Sequence, residues 1–288
     1  SGLGKKVWNE LDDILKERGV EYQALFTKYQ RHATQLVNEI TSDGKEHTII
    51  ALGGDGTVNE VLNGIMGYKN AVLGVVPIGT GNDFVRNFPE NADFLDIESQ
   101  LQGYTMKSDV IKYSGVINGK EQTRYCINMF NIGFDCNVAD LTQTLKTYPL
   151  LSGSVAYLAA IVGMLVKKKG AKLKVELDGE VVENGPLLLT AIANGGFCGG
   201  GVNSAPTASI NDSIMDVNVI YNITRRGFIK KFPYYSKGTH MELPDLDDFL
   251  LFRQCKEAVI TPLDGTMRLC VDGEIVDAGE VTMQMMPM

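Results

Sequence analysis

Along the first hundred residues the apolar positions switch between two periods. Val7, Trp8, Leu11, Ile14 and Leu15 recur at the spacing of one helix face, as do Ala33, Leu36, Val37 and Ile40. Residues 20–27, 48–52 and 71–77 read as strands, the last an apolar run suited to a buried parallel strand. Val58, Val61, Leu62, Ile65 and Met66 place a helix after the second of them. This βαβαβ order predicts a doubly wound sheet that binds its ligand at the carboxyl ends of its strands. From about residue 105 the pattern changes to short strands joined by tight turns. Runs 111–117 and 123–130 flank Asn118-Gly119, and runs 172–177 and 181–183 flank Asp178-Gly179, both type I′ hairpin signals. Further runs at 187–193, 216–221, 257–263, 267–271 and 275–283 are separated by turn residues that include Asp264-Gly265 and Asp272-Gly273. The expected architecture is an α/β nucleotide domain over 1–104 and an antiparallel β-sandwich over 105–288, with the cleft between them as the default site.

Composition narrows the partners. The chain has 288 residues, 44% hydrophobic and 22% charged, which suits a folded protein with two cores. Its net charge of −8 excludes general attraction to nucleic acid, so any contact with an anionic membrane needs a local basic patch. Arg225, Arg226, Phe228, Lys230, Lys231, Phe232, Tyr234 and Tyr235 interleave cations and aromatics as such a patch would, and also as a solvated helix face would. Cys126, Cys136, Cys198, Cys255 and Cys270 are scattered without a C-x-x-C pair, which argues against disulfides or zinc and for a reducing compartment. The histidines, His32, His47 and His240, are equally dispersed and give no support to a histidine-based triad. Residues 149–166 carry no charge and precede Lys167-Lys168-Lys169. Their length reaches the lower end of a spanning helix, but their serines, glycines and proline favour a helix that is buried or lies at a membrane surface. Residues 1–30 are amphipathic and charged, so no signal peptide is expected.

Two glycine-rich turns carry the candidate chemistry. After the strand at 48–52, Gly53, Gly54 and Gly56 let an oxyanion approach backbone amides at a helix start without a Cβ in the way. Asp55 would repel a phosphate unless a divalent cation lay between them, which points to a nucleotide–Mg²⁺ site. After the strand at 71–77, Gly79-Thr80-Gly81-Asn82-Asp83 repeats the arrangement. Thr80 can donate to a phosphate oxygen, and Asn82 and Asp83 can orient a hydroxyl or hold a hydrated cation. Each turn alone reads as an ordinary strand-to-helix connection; two on consecutive strands point to one shared ligand.

Gly53-Gly54-Asp55-Gly56-Thr57-Val58-Asn59-Glu60-Val61 together with Gly79-Thr80-Gly81-Asn82-Asp83-Phe84 resembles the bacterial diacylglycerol kinase family of lipid kinases, related to sphingosine kinases, NAD kinases and phosphofructokinases. The similarity continues through Asn131-Ile132-Gly133-Phe134-Asp135, Ser154-Val155-Ala156-Tyr157-Leu158, Ala193-Asn194-Gly195 and residues 199–206. It implies an NAD kinase-like first domain and a lipid-kinase second domain. The implied reaction is transfer of the ATP γ-phosphate to the hydroxyl of diacylglycerol or a related lipid at the cytoplasmic membrane face, by a peripheral protein whose homodimerisation is left open. Gly54, Asp55, Gly56, Thr57, Asn59 and Glu60 would line the nucleotide site, with Thr80 and Thr27. The family also opens with Asn-Pro-x-Ser/Thr-Gly and closes with a strand returning to its first domain; neither is found here, so a partial chain is expected.

The same resemblance implies a base and a metal. The family's Asp-Gly-Glu matches Asp272-Gly273-Glu274, with Asp272 as the expected base and Glu274 assisting; either carboxylate could accept the proton. Asp178-Gly179-Glu180 is the same tripeptide and reads as a hairpin tip. Residues 206–217 resemble a structural Mg²⁺ loop in which Asp212 and the carbonyls of Ser209 and Ile214 would be ligands, although Asn211 and Ser213 replace the family's acidic residue and glycine, and Asn203 a common lysine. Two other readings stay open: a kinase for a soluble alcohol of the NAD kinase type, and a non-catalytic binder of nucleotide or lipid.

Overall fold

The computed structural model describes residues 2–89, 92–134, 136–138 and 170–287. The apolar segment 149–166, the lysines that follow it, Asp135 and the 154–158 motif lie outside these residues. The chain divides into two compact units, Ser1–Met106 and Lys107–Met288.

In the first unit, α1 (Gly2–Glu17) and α2 (His32–Thr41) precede β1 (His47–Gly53), α3 (Asp55–Ile65), β2 (Ala71–Pro77) and α4 (Ile97–Gln102). β1 and β2 pair in parallel, with His47 opposite Ala71 and Gly53 opposite Pro77. Leu11 and Leu15 of α1 pack with Val76 and Ile97, as the spacing of apolar residues in α1 requires. The Gln100 side chain of α4 lies along β2 and replaces a neighbouring strand there, accepting from the Val75 amide at 3.1 Å and donating to the Val75 carbonyl at 2.8 Å.

Residues 20–27 do not form the expected strand. Their backbone has no ladder partner among the described residues, so alternation alone cannot make them a strand. Side chains hold the segment instead: the Tyr22 hydroxyl donates to Asp12, and Trp8 meets Tyr22 and Phe26 edge-on at 5.9 and 6.0 Å. The sheet of this unit therefore contains two strands among the described residues rather than a doubly wound set.

The second unit is antiparallel throughout. β3 (Val110–Ile117), β4 (Lys120–Cys126), β5 (Met129–Gly133), β6 (Ala171–Leu177), β7 (Glu180–Ala193), β10 (Met215–Tyr221), β11 (Leu250–Cys255), β12 (Glu257–Pro262), β13 (Met267–Val271) and β14 (Glu274–Met286) form one sheet. The short β8 (Phe197–Cys198) and β9 (Val202–Asn203) form a separate hairpin. The order β11-β10-β7-β5-β13-β14-β12-β6 closes through a second pairing of β6 with β7, giving a sandwich around a core that includes Tyr113, Phe130, Ile192, Val217 and Leu269. The long β7 makes this closure possible: its first half pairs with β6 and its second half with β5 and β10. β12 and β13 are not neighbours, so Asp264-Gly265 connects two strands without forming a hairpin between them. The helix α5 (Arg225–Lys237) is capped by Thr224, whose hydroxyl accepts from the Gly227 amide, and ends at Gly238 in the left-handed region. All five cysteines are buried and outside any disulfide.

Candidate active site

In the first unit the two glycine turns interlock. A Cβ on Gly79 would lie 2.4 Å from the Gly54 Cα, and one on Gly54 would lie 3.0 Å from the Gly79 Cα, so the backbones touch where neither can carry a side chain. Asp55 ties the turns together: its Oδ1 accepts from the Asp83 amide at 2.7 Å and the Phe84 amide at 3.2 Å, capping the 3₁₀ turn Phe84–Asn87. Asn82, at φ 52°, closes its own loop, accepting from the Gly79 amide and donating to the Pro77 and Gly79 carbonyls. Beside this closed ground, Gly56 is open, and a Cβ there would meet nothing within 4 Å. Asp55 and Gly56 are the first residues of α3, whose opening amides have no preceding helical turn to donate into. The unfilled space over amides at a helix start suits an oxyanion.

The other expected nucleotide residues separate by role. Thr57 folds over Gly53, where a Cβ would lie 2.3 Å from the Thr57 Oγ1, and Thr80 is exposed on the second turn. Asn59 is buried and its side-chain oxygen accepts from Asn63, so it belongs to the interior of the helix pair. Glu60 caps α2: its carboxylate accepts from the Arg31 amide at 2.7 Å and the Ala33 amide at 3.1 Å. α2 has no side-chain cap of its own because Arg31 precedes it at φ 67°, so a carboxylate from α3 fills that place. Thr27 is exposed in the irregular segment and makes no side-chain hydrogen bond among the described residues.

In the second unit the expected base and the expected metal loop are joined by hydrogen bonds. Asp272 stands at φ 47° in the two-residue turn between β13 and β14. Its carboxylate accepts from the amides of Ile127, Asn128 and Met129 at 2.9, 3.0 and 3.0 Å, and from the Cys126 thiol at 3.1 Å. Burial, and then the Asp272 charge, push the Cys126 thiol well above its ordinary value, which keeps it a donor. These bonds interrupt the strand expected over 123–130: it divides into β4 and β5 at Ile127-Asn128, whose amides turn to Asp272. Three of the four donors share Oδ1, and the Ile127 amide goes to Oδ2.

Glu274, two residues on, is half-buried beside the Arg124 guanidinium of β4 at 3.4 Å. Asp178-Gly179-Glu180 adopts the same turn, with Asp178 at φ 47° accepting from the amides of Lys256 and Glu257. That turn is exposed, as a hairpin tip should be.

Asn194, fully buried after β7, donates to the carbonyls of Ile127 and Asp109 at 2.7 and 2.8 Å. The Asp109 carboxylate accepts from the Ser213 amide at 2.7 Å, within the expected metal loop. Asp109 was not singled out by sequence, because a lone Asp before an apolar run carries no motif; only the fold brings it to this loop. Asp212 is exposed and accepts from the Ile214 amide at 3.1 Å. Lost hydration, with Asp216 and Asp109 adding repulsion, nevertheless pushes its carboxyl above the usual value. Asp216 itself is occupied by Thr207 and Gln254. Among the described residues the Ser209 and Ile214 carbonyls accept no hydrogen bond, and no cluster of three or more acidic, histidine or cysteine side chains could hold a metal. The loop therefore fits a hard cation only as a site with one carboxylate, completed by carbonyls and water.

The model of the diacylglycerol kinase catalytic domain matches residues 1–113, and that of the YegS C-terminal NAD kinase beta sandwich-like domain matches residues 128–288. The chain is 29% identical to the diacylglycerol kinase of Staphylococcus carnosus (94% of this chain, 84% of the other). It is 28% identical to the diacylglycerol kinase of Bacillus subtilis (84% and 78%), and 30% identical to a Cronobacter sakazakii protein named "Probable lipid kinase YegS-like" (75% and 71%). Its fold is similar to a crystal structure of a diacylglycerol kinase from Bacillus anthracis str. Sterne, with a TM-score of 0.63 and 22% identity over 91% of this chain and 81% of that one. With both domain models matched in order, the chain belongs to the diacylglycerol kinase family with a YegS-type β-sandwich domain.

Proposed function

We propose that this protein is an ATP-dependent lipid kinase that transfers the γ-phosphate to the hydroxyl of diacylglycerol or a related lipid alcohol at a membrane surface, giving phosphatidic acid when the acceptor is diacylglycerol. The observation that carries the nucleotide half is the interlocked pair of glycine turns, closed at Gly54 and Gly79 and open over Gly56. Gly54, Asp55, Gly56 and Thr57 would hold the phosphates from one turn and Thr80 from the other, while Glu60 and Asn59 hold the helices that carry them. Mg²⁺, when bound with ATP, would neutralise charge on the transferring phosphoryl group. Asp55 would face it with the oxygen that is not capping Phe84–Asn87, and Asp212 with the Ser209 and Ile214 carbonyls would hold a structural ion.

For the transfer step the carboxylate of Glu274 would take the proton of the lipid hydroxyl as its oxygen bonds the γ-phosphorus and the bridging bond to ADP breaks. Asp272, buried and accepting from three backbone amides and a thiol, instead fixes the turn from which Glu274 projects. The acceptor proton moves to the more exposed of the two carboxylates.

Transfer of labelled phosphate from ATP, assayed against diacylglycerol and other lipid alcohols in mixed micelles, tests this reading; a folded, nucleotide-binding protein that labels no lipid would overturn it. The nucleotide turn has its own test. Gly56→Ala should raise fold stability by up to about 1 kcal/mol, because alanine favours a helix and the space is open. The same methyl should weaken ATP binding at least about tenfold by filling the cradle (about 1.4 kcal/mol). Unchanged affinity in a nucleotide titration would remove Gly56 from the site.

A further inference from the structure

One face of α5 has no role in the chemistry above. The helix contains Arg225, Arg226, Lys230, Lys231 and Lys237 and no acidic residue, in a chain of net charge −8. Its inner side is anchored: Phe228 and Phe232 stack at 5.3 Å and pack, with buried Tyr235, against a cluster containing Leu188, Leu189, Ile220 and Phe249. Lys231 is fixed on one flank, its ammonium 2.6 Å from Asp245 and 4.1 Å from the centre of the Phe249 ring. Arg226, Ile229, Lys230, Pro233, Tyr234 and Lys237 follow a spacing of three and four and share the opposite face, where all are exposed. Arg226, Lys230 and Lys237 make no ion pair or side-chain hydrogen bond among the described residues. Between them stand two large apolar groups, Ile229 at 60% and Tyr234 at 46% exposure.

We propose that this face of α5 docks the protein on an anionic lipid bilayer, with Arg226, Lys230 and Lys237 at the headgroups and Ile229 and Tyr234 entering the interface. Cations flanking an aliphatic and an aromatic side chain on a helix lying in the surface plane satisfy a bilayer in both its charge and its apolar layer. A nucleic acid would use the cations but leave Ile229 unpaired. The helix is suited to lie flat because its inner side is already packed, so docking requires no unfolding. This deepens the proposed function by assigning the surface that delivers the protein to its substrate, but the docking does not require the kinase reading to be right.

The test measures partitioning of the full chain onto sucrose-loaded vesicles of phosphatidylcholine with about 30% phosphatidylglycerol, without nucleotide or acceptor lipid, so that failure of the kinase reading leaves the result untouched. Each surface cation contributes roughly fivefold to partitioning near an anionic bilayer. Arg226→Gln/Lys230→Gln/Lys237→Gln should therefore lose about 100-fold, with an unchanged circular dichroism spectrum and melting temperature. Ile229→Ser/Tyr234→Ser should lose binding that persists in high salt, when the charge contribution is screened. Equal partitioning of the triple variant and the unaltered chain would overturn the proposal. So would failure of the unaltered chain to bind these vesicles, or binding to single-stranded DNA in preference to them.

Discussion

Glu274→Gln is expected to lower kcat for phosphoryl transfer by about 10²–10⁴-fold with little change in KM, the range for loss of a positioned general base. The substitution keeps the shape of the side chain and its exposure but removes the proton acceptor. Arg124, 3.4 Å away, pairs with this carboxylate. Arg124→Met should therefore lower kcat as well, by about tenfold to a hundredfold. A purely structural role for Arg124 would move the melting temperature without moving kcat. Steady-state kinetics on micellar diacylglycerol decide the matter: a Glu274→Gln enzyme with unchanged kcat would return the role of base to another carboxylate.

Local chemistry made much of this molecule legible. Asn118-Gly119, Asp178-Gly179 and Asp272-Gly273 specify their turns because positive φ is cheap for those residues, and each turn forms where its dipeptide stands, with Asn118, Asp178 and Asp272 at φ 47–50°. The two glycine turns are equally local, and their residues come together at Gly54 and Gly79. Where local pattern falls short, a long-range partner, present or absent, decides the outcome. Residues 20–27 have strand periodicity but nothing to pair with among the described residues. Residues 123–130 have the pattern of one strand, yet Asp272, more than 140 positions away, takes the amides at their middle and divides them. Glu60 sits in the glycine-turn motif, but its carboxylate caps a helix 27 to 29 residues earlier in the chain. Asp109 stands next to no motif and acquires meaning through Ser213, 104 positions away. Spacing in a sequence reports helix faces and turns; it does not report which side chain will satisfy an amide from another element.

The two Asp-Gly-Glu turns turn that distinction into a measurement, because local sequence and backbone are the same in both and only the surroundings differ. Asp272→Ala removes the acceptor for three backbone amides and a thiol at a position 6% exposed. Each buried donor left unsatisfied costs about 1–3 kcal/mol, so a loss of about 4 kcal/mol or more is expected. With roughly 2–4 °C per kcal/mol for a domain of this size, the melting temperature should fall by about 10 °C or more. Asp178→Ala gives up the same tolerance of positive φ, but its two amides can turn to water, so its cost should stay below about 1 kcal/mol. Asp272→Asn should fall between them. Its amide retains one acceptor oxygen but presents a second donor to the Ile127 amide or to the Asn128 and Met129 amides, for a loss of about 2 kcal/mol. Thermal unfolding of the three variants separates the causes: equal losses at 272 and 178 would mean that turn geometry dominates, and the carboxylate clamp on residues 127–129 would be refuted. A loss concentrated at 272 would mean that Asp272 fixes the turn structurally, leaving Glu274 in a frame rigid enough to hold a proton acceptor in line with its substrate.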